Sequence, residues 1–341
     1  MENEPHTTVR AGGGLIEYEA SGTKARRVVL DPPHPSPQKS RERYELPGWL
    51  LGKLEVLAQS RFEVGEFMQR SPDQLRVWTS KDEPYILSIV RSVNASSRIE
   101  GEGVHARDVP VVLHAVTRSL GQTTSELKDR QLALKDISQA CLWALREMRH
   151  PILSYDLVLE IHKRMFNSTK PKIAGTLKTE PIFISDDEKR YFNVETLPPE
   201  KTEKFLRALC ERFSHSFHDA ERFSSHSKLV LVAEFLVDFL AIHPFEDGNG
   251  RTARLLSTYL LERAGYHFAR FYPLDQVILD ARNRYFDALF AAQSRWYQPD
   301  EDLLPWFEFR SPSTALHGAY SYPDETLLTA LSLPQKAGCV P

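Results

Sequence analysis

Residues 243–254 read HPFEDGNGRTAR, and a long apolar segment, residues 229–242, leads directly into them. The only charges in that segment, Glu234 and Asp238, lie four residues apart. On a helix they share one narrow stripe, which leaves the other faces apolar. The pattern therefore predicts a central, mostly buried helix that presents His243 at its C-terminal end.

A glycine-containing loop and a second helix follow. Gly248, Asn249 and Gly250 form the loop, since glycine adopts backbone conformations that other residues avoid and leaves its N–H groups bare. Residues 252–265 have the composition of a helix that ends at a glycine. The N-terminus of this helix would point at the loop, and its dipole would attract anions. The two elements predict a phosphate-binding site.

Charged side chains of the same segment complete this predicted site. Arg251 and Arg254 are three residues apart and share a helix face, from which both guanidinium groups can reach phosphate oxygens. Asp247 is placed to hold a Mg²⁺ that bridges phosphates, because hard cations prefer oxygen ligands. His243 suits removal of a proton near neutral pH. The segment therefore predicts a site that binds a polyphosphate and deprotonates a hydroxyl beside it.

The segment matches, at every specified position, the signature of the Fic (filamentation induced by cyclic AMP) family, H-x-F-x-D/E-G-N-G-R-x-x-R. This resemblance implies a mainly α fold: a Fic-type helical bundle core with a small β-hairpin flap and an N-terminal helical extension. It also implies a nucleotidyltransferase that moves AMP from ATP to a Ser, Thr or Tyr hydroxyl of a target protein or of itself. Both glycines of the signature are intact, which favours AMP transfer over the family's kinase and phosphocholine variants.

The resemblance also assigns roles to single residues. His243 resembles the general base, Phe245 the buried anchor of the loop, and Asp247 the Mg²⁺ ligand. The implied ATP-binding residues are a phosphate cradle and two phosphate clamps: Gly248, Asn249, Gly250, Arg251 and Arg254.

A second motif lies upstream, where residues 96–101 read SSRIEG. It resembles the family's inhibitory motif, S/T-x-x-x-E-G/N, with Ser96, Glu100 and Gly101 at the specified positions. Glu100 would lie in the last turn of a helix, where a carboxylate opposes the helix dipole and favours a cationic partner. The resemblance implies that this partner is Arg254 and that the pair inhibits the enzyme. Removal of AMP through Glu100 is the alternative activity.

Residues 181–192, PIFISDDEKRYF, contain two short apolar runs around a polar turn, which predicts a hairpin. Its position resembles the Fic flap, which binds the target segment by strand addition. An ordinary surface hairpin is the alternative. The segment upstream, GTLK at residues 175–178, departs from the family's G-x-Y/F-R. The implied target-binding residues are Ile182, Phe183, Ile184, Ser185 and Asp186.

Residues 282–290 resemble the family helix that ends in a tyrosine pair near the adenine. The pair here is Tyr285 and Phe286, and Phe286 lacks the hydroxyl, so this position offers stacking without a hydrogen bond. Gln293 is predicted to lie near the base as well. His162, on a helix for which Ser154 is the predicted N-cap, is interpreted as a packing or surface residue without a chemical role.

Composition divides the 341 residues into four regions. Residues 1–43, with a glycine run and a proline cluster, are predicted to be a flexible arm, and residues 311–341 a flexible tail. Residues 44–124 form an N-terminal helical region that carries the inhibitory motif, and residues 125–310 form the Fic core. The resemblance extends over residues 84–310.

Charge and cysteine content narrow the partners and the compartment. The net charge is −3 and no basic block is present, so nucleic acid is not the expected partner. Cys141, Cys210 and Cys339 are spread out, and neither a signal peptide nor a membrane span is evident, which predicts a cytoplasmic protein. A homodimer stays open, as does a non-catalytic, ATP-sensing interaction protein.

Overall fold

The computed structural model describes residues 14–20, 23–30, 32, 47–52, 54, 83–117, 127–146, 152–185, 192–220, 227–270, 273–298 and 301–310. Within these residues the chain is mainly α-helical, as the sequence predicts, with one small sheet. The longer helices are α1 (Glu83–Ile99), α2 (Val109–Thr117), α3 (Asp129–Arg146), α4 (Tyr155–Phe166), α5 (Pro199–Asp219), α6 (Ser227–Ile242), α7 (Asn249–Arg263), α8 (Leu274–Asp280), α9 (Arg282–Gln293) and α10 (Leu304–Arg310).

Helix α6 is the predicted central helix, and its apolar faces lie in the core, with Phe239 fully buried. Its two carboxylates are buried as well, because α6 is covered on every side. Asp238 accepts hydrogen bonds from Arg212 Nη2 at 2.5 Å and from Trp296 Nε1 at 2.7 Å. These partners compensate the cost of removing a charge from water. The two carboxylates that share one stripe of α6, Glu234 and Asp238, therefore lie inside the protein and not on its surface.

Helix α7 packs against α6, α1 and α3, and most of its residues are buried. The Tyr259 hydroxyl donates a hydrogen bond to the Ile152 carbonyl at 2.9 Å, which ties α7 to the segment before α4. The predicted N-cap of α4 is confirmed, since the Leu157 N–H donates to the Ser154 hydroxyl at 3.1 Å. This packing holds the start of α7 beside the end of α6.

The sheet has the strand order β1 (Gly14–Ala20), β2 (Thr23–Val29), β4 (Phe192–Glu195) and β3 (Phe183–Ser185). Strands β3 and β4 pair in antiparallel register, which confirms the predicted hairpin. Strand β2 pairs in parallel with β4 and antiparallel with β1. The sheet therefore joins the flap hairpin to a second hairpin from the N-terminal part of the chain.

The N-terminal hairpin corrects the prediction of a flexible arm over residues 1–43. Residues 16–20 read IEYEA, an apolar–polar alternation typical of a strand, and the Ser-Gly that follows is a turn signal in the sequence. The glycine and proline content that suggested an arm lies to either side of this hairpin. The rest of the arm and the tail at residues 311–341 lie outside the described residues, apart from Leu30 and Pro32.

The described helices include none that is long and apolar enough to cross a membrane. Cys141 and Cys210 are buried and form no disulfide within the described residues, and Cys339 lies outside them.

Candidate active site

His243 lies at the end of α6 in a left-handed conformation, with φ of 50°. Its N–H donates to the Phe239 carbonyl at 2.9 Å, and its Nδ1 lies 3.2 Å from the Leu240 carbonyl. A carbonyl oxygen only accepts, so Nδ1 carries the proton and Nε2 keeps a free lone pair. Burial, aided by the charge of Lys178, lowers the pKa of His243 to about 4. At neutral pH the imidazole is therefore uncharged and able to accept a proton.

The loop after His243 is anchored by Phe245, which is fully buried. Its ring stacks on the His162 ring at 3.7 Å with an angle of 7° between the planes. The Asn249 side chain accepts from the Phe245 N–H at 2.9 Å and donates to the Phe245 carbonyl at 2.7 Å. Phe245 thus has the anchoring position that was predicted. Asn249 supports the loop with its side chain, which leaves only its backbone N–H for an anion.

His162 is a residue whose contribution the sequence interpretation missed. Its Nδ1 accepts a hydrogen bond from the Gly175 N–H at 3.0 Å, so Nε2 carries the proton and donates to the Asp247 carbonyl at 3.0 Å. His162 is fully buried, and this burial lowers its pKa to about 4. It fixes the backbone of Asp247 from a helix 85 residues away, so no local spacing could have revealed it.

The neutral state of His162 predicts a pH dependence of stability. Its pKa in the folded protein lies below the usual value of 6.5, so the unfolded chain binds this proton first as the pH falls. The free energy of unfolding should therefore fall between pH 6.5 and pH 4, by about 1.4 kcal/mol per pH unit for this one proton. Chemical denaturation of the wild type and of His162→Gln measures the difference. Equal slopes in the two proteins would contradict the prediction.

Two glycines allow other groups to approach the loop closely. Gly248 has φ of 80° and precedes α7, and a Cβ on it would lie 2.4 Å from the Phe166 ring. A Cβ on Gly250 would lie 2.3 Å from Glu100 Oε1. Gly248 is therefore required both for its backbone conformation and for space, whereas a Cβ on Gly250 would displace the flexible Glu100 carboxylate. The open face at Gly250 is the place where the upstream motif meets the loop.

Arg254 lies under that face, and its side chain is only 3% exposed. Its Nη2 donates to Glu100 Oε1 at 2.7 Å and to the Ser96 carbonyl at 3.1 Å, while Nε donates to the Ser96 hydroxyl at 2.7 Å. Gly101, with φ of 74°, turns the chain directly after Glu100. The predicted ion pair between Glu100 and Arg254 is therefore present, with all three residues of the upstream motif around it.

Asp247 and Arg251 form the other half of the site. Asp247 Oδ1 accepts from Arg251 Nη2 at 2.9 Å and from the Gly248 N–H at 2.5 Å, and Oδ2 accepts from Lys170 Nζ. Burial alone would raise the pKa of Asp247, but Arg251 and Lys170 hold it below its usual range. Arg251 Nη1 in turn donates to Glu102. The carboxylate predicted to bind a cation is thus ionised, and already pairs with an ammonium group.

The Fic/DOC family model matches residues 152–261, which include α4, α6, the glycine loop and most of α7. These residues are a Fic domain. Glu100 and Glu102 precede the match, so the Fic domain receives both carboxylates from the preceding part of the chain.

Curated proteins are similar to this chain, some of them over much of its length. "Protein adenylyltransferase Fic" of Aedes aegypti is 24% identical over 293 residues, which are 84% of this chain and 51% of that protein. The protein of the same name from Nematostella vectensis is 36% identical over 121 residues, 33% of this chain and 24% of that protein. The chain therefore spans about half or less of the length of these relatives.

Solved structures agree on the fold. A Fic family protein from Desulfovibrio desulfuricans G20 has a TM-score of 0.59 at 19% identity, over 87% of each chain. Fic-1 from Caenorhabditis elegans has a TM-score of 0.54 at 20% identity, over 82% of this chain and 75% of that one. At these identities the likeness establishes a Fic fold, including the helices before the Fic domain.

Lys178 ties the predicted flap hairpin to the end of α6. Leu177 and Lys178 are the two positions at which the sequence departs from the family pattern. Lys178 Nζ donates to the Thr196 hydroxyl at 2.9 Å and to the Ile242 carbonyl at 3.0 Å. The Thr196 hydroxyl donates in turn to the Ile182 carbonyl at 3.0 Å. Burial lowers the pKa of Lys178 to about 7. Lys178 therefore connects both ends of the flap to the backbone beside His243.

The predicted flap residues differ in their surroundings. Phe183 is 60% exposed, whereas Ile182 and Ile184 are partly buried, with Ile184 against the core. Ser185 pairs with Asn193 through the backbone of β3 and β4, and Asp186 lies outside the described residues. Strand β3 is an outer strand of the sheet, so its other edge is not paired within the described residues.

The predicted adenine-binding residues lie on α9 and differ in exposure. Tyr285 is 2% exposed, with its ring 5.6 Å from that of Trp306, so it is a core residue. Phe286 is partly buried beside Arg282, whose Nε donates to the Ile99 carbonyl at 3.1 Å. Gln293 is buried at the C-terminal end of α9, about 10 Å further along the helix axis than Phe286. Of the three, Tyr285 interacts electrostatically with Arg254, the partner of Glu100, and Phe286 alone is partly accessible.

Proposed function

We propose that this protein transfers AMP from ATP to a hydroxyl side chain of a protein target. One observation carries the proposal: an uncharged His243 and two buried arginines, Arg251 and Arg254, converge on one glycine loop at the N-terminus of α7. The relatives named protein adenylyltransferase support it.

Different residues of the loop and of α7 would bind the phosphates and remove the proton in such a reaction. The backbone N–H groups at the start of α7 would hold the α-phosphate, which the hydroxyl attacks. The two arginines would hold the β- and γ-phosphates, which leave together as pyrophosphate when the bond between the α- and β-phosphates breaks. His243 Nε2 would take the proton of the attacking hydroxyl, since Nδ1 is held by Leu240. Because only one proton has to move, most of the catalysis comes from position and charge.

The carboxylates present fit a Mg²⁺ bound together with ATP. Asp247 Oδ2 and Glu102 Oε1 both face the Lys170 ammonium, the second at 3.4 Å, so this position already holds a cation. The described residues contain no cluster of three or more protein groups able to hold a metal. Mg²⁺ suits that arrangement, because it commonly uses one or two carboxylates and takes its other ligands from phosphate and water. Bound there, it would neutralise charge on the phosphates.

The proposal includes inhibition by Glu100. While its carboxylate binds Arg254 Nη2 at 2.7 Å, that guanidinium is not available to a phosphate. The same carboxylate would lie beside the phosphate cradle, because it borders Gly250. That position favours AMP removal as a second candidate activity, in which Glu100 would orient a water towards the phosphate of a modified target.

The target would bind at the flap. Strand β3 offers the unpaired edge described above, and Phe183 offers an exposed aromatic ring beside it. Strand addition recognises backbone more than side chains, which suits a protein target with an accessible extended segment. Cys141 and Cys210, which are buried and form no disulfide within the described residues, support a reducing compartment such as the cytoplasm.

The experiment that tests the proposal compares two labels. Glu100→Gly protein and a cell lysate are incubated with Mg²⁺ and ATP labelled at either the α- or the γ-phosphate. Protein-bound label should appear from α-labelled ATP only, and mass spectrometry should identify an AMP adduct on a hydroxyl side chain. Label from γ-labelled ATP would instead establish a kinase. No label from either, with ATP still bound, would favour a non-catalytic ATP sensor.

A further inference from the structure

Two side chains outside the signature and the inhibitory motif, Glu102 and Lys170, are bound to the residues assigned to phosphate and cation. We propose that these two residues form an internal substitute for a Mg²⁺-phosphate group. The Glu102 carboxylate takes the place of a phosphate on Arg251, and the Lys170 ammonium takes the place of the divalent cation on Asp247. This proposal rests on the proposed function, because it takes Mg²⁺ and ATP as the ligands that displace the two side chains.

Glu102 binds Arg251 from the surface. The Arg251 side chain is 2% exposed and Glu102 is 41% exposed, so the carboxylate reaches down to a buried guanidinium group. Arg251 also lies 4.9 Å from the centre of the Phe166 ring, and its Nε has no hydrogen-bond partner. A buried N–H without an acceptor is costly, and a polyphosphate offers more acceptor oxygens than one carboxylate. A nucleotide would therefore satisfy Arg251 better than Glu102 does.

Lys170 binds Asp247 as Glu102 binds Arg251, but here the partly exposed side chain is the cation and its partner the carboxylate. Its ammonium pairs with Asp247 Oδ2 and lies 3.4 Å from Glu102 Oε1, so two carboxylates converge on one cation. Lys170 is 40% exposed, which allows its ammonium to turn into water without unpacking the core. A divalent cation interacts more strongly with two carboxylates than an ammonium does. It can therefore replace Lys170 at this position.

The four groups form a chain of alternating charge in the order Arg251, Glu102, Lys170, Asp247. These four side chains form a closed ring of ion pairs, because Arg251 Nη2 also lies 2.9 Å from Asp247 Oδ1. Mg²⁺ and a phosphate together would bring the same two charges to Asp247 and Arg251. Glu100 acts on a different guanidinium, that of Arg254, so the internal substitute is separate from the inhibitory pair.

The cation half is tested with Mn²⁺ alone, in the absence of nucleotide. Lys170→Met should bind Mn²⁺ at least about threefold more tightly than wild type, the scale of a partly exposed ion pair. The matched control is Lys172→Met. Lys172 is exposed and lies two residues after Lys170, so this variant removes the same charge from a neighbouring position. The dissociation constants can be measured by the electron paramagnetic resonance signal of free Mn²⁺. Equal affinities of Lys170→Met and Lys172→Met would overturn this half of the proposal.

The phosphate half is tested with ATP in the absence of metal. Glu102→Gln keeps the shape of the side chain and removes its charge, and it should bind ATP at least about threefold more tightly than wild type. The matched control is Glu246→Gln, an exposed carboxylate next to Asp247 in the chain. Equal affinities of the two variants in calorimetry would overturn this half.

The two proposals fail in different ways. If Glu100→Gly bound no ATP with or without Mg²⁺, the proposed function would be rejected, while the Mn²⁺ comparison would still decide the role of Lys170. If Glu100→Gly bound ATP but both matched pairs gave equal affinities, only the internal substitute would be rejected. Glu102 and Lys170 are both about two-fifths exposed, so these substitutions leave the core intact.

Discussion

Replacement of Glu100 by glycine is expected to raise AMP transfer by about ten- to a hundredfold. The range follows from the strength of a hydrogen bond to a charged group, about 1.5–3 kcal/mol, which here is made to a buried guanidinium group. The substitution frees Arg254 Nη2 for a phosphate, while the two hydrogen bonds to Ser96 keep the guanidinium in place. Incorporation of α-labelled ATP over time measures the rate.

The matched control for this prediction is Glu100→Gln, which keeps the length of the side chain and a hydrogen-bonding oxygen but removes the charge. It should give a rate between those of wild type and Glu100→Gly. A rate for Glu100→Gly equal to that of wild type, with ATP bound equally well, would contradict the inhibitory role. The ion pair would then contribute to stability alone.

Replacement of His243 by alanine, in the Glu100→Gly background, is expected to lower AMP transfer by about 10²–10⁴-fold, the usual contribution of a general base. The uncharged imidazole, with Nδ1 held by Leu240, is the group at the loop that is suited to take the proton. The affinity for ATP should change little, because phosphate contacts come from Arg251, Arg254 and the backbone. Single-turnover labelling and calorimetry separate the two effects.

His243→Asn provides the matched control. Its amide can donate to the Leu240 carbonyl as Nδ1 does, but it has no basic nitrogen in the place of Nε2. If His243 is the base, the asparagine variant should be as slow as the alanine variant. Recovery of the rate by asparagine would mean that the residue only positions the loop.

The sequence predicted the parts of the fold and site that depend on neighbouring residues. The apolar run before His243 predicted α6, and the glycine loop and its arginines predicted the start of α7. The pairing of Glu100 with Arg254 spans 154 residues and came from the resemblance alone. Neither hydrophobic periodicity nor composition contains that information, because both describe a local segment.

The parts that were missed depend on contacts between distant segments. His162 meets Asp247 across 85 residues, and Arg251 meets Glu102 across 149. His162 and Glu102, considered alone, resemble ordinary packing or surface residues. Hairpin β1–β2 was missed because composition was given more weight than alternation. The role predicted for Gln293 stays a prediction, and its side chain is buried at the C-terminal end of α9.

The way in which Glu100 is held has a kinetic consequence. Helix α1 before it is part of the core, with Val90 fully buried and Ile89 2% exposed, so the helix itself cannot swing away at low cost. The Glu100 side chain lies beyond its last residue and is 35% exposed. Release from Arg254 needs only a rotamer change, and such changes in exposed side chains occur in picoseconds to nanoseconds.

Inhibition by Glu100 would therefore be a rapid equilibrium within one protein molecule, without a slow domain movement. If Glu100→Gly is ten- to a hundredfold faster, the wild type spends about 1–10% of its time with Arg254 free. The wild-type protein would then have a continuous residual activity of that size. A partner that contacts the turn at Glu100 and Gly101 could change the rate in either direction, because it would only shift populations that already exist.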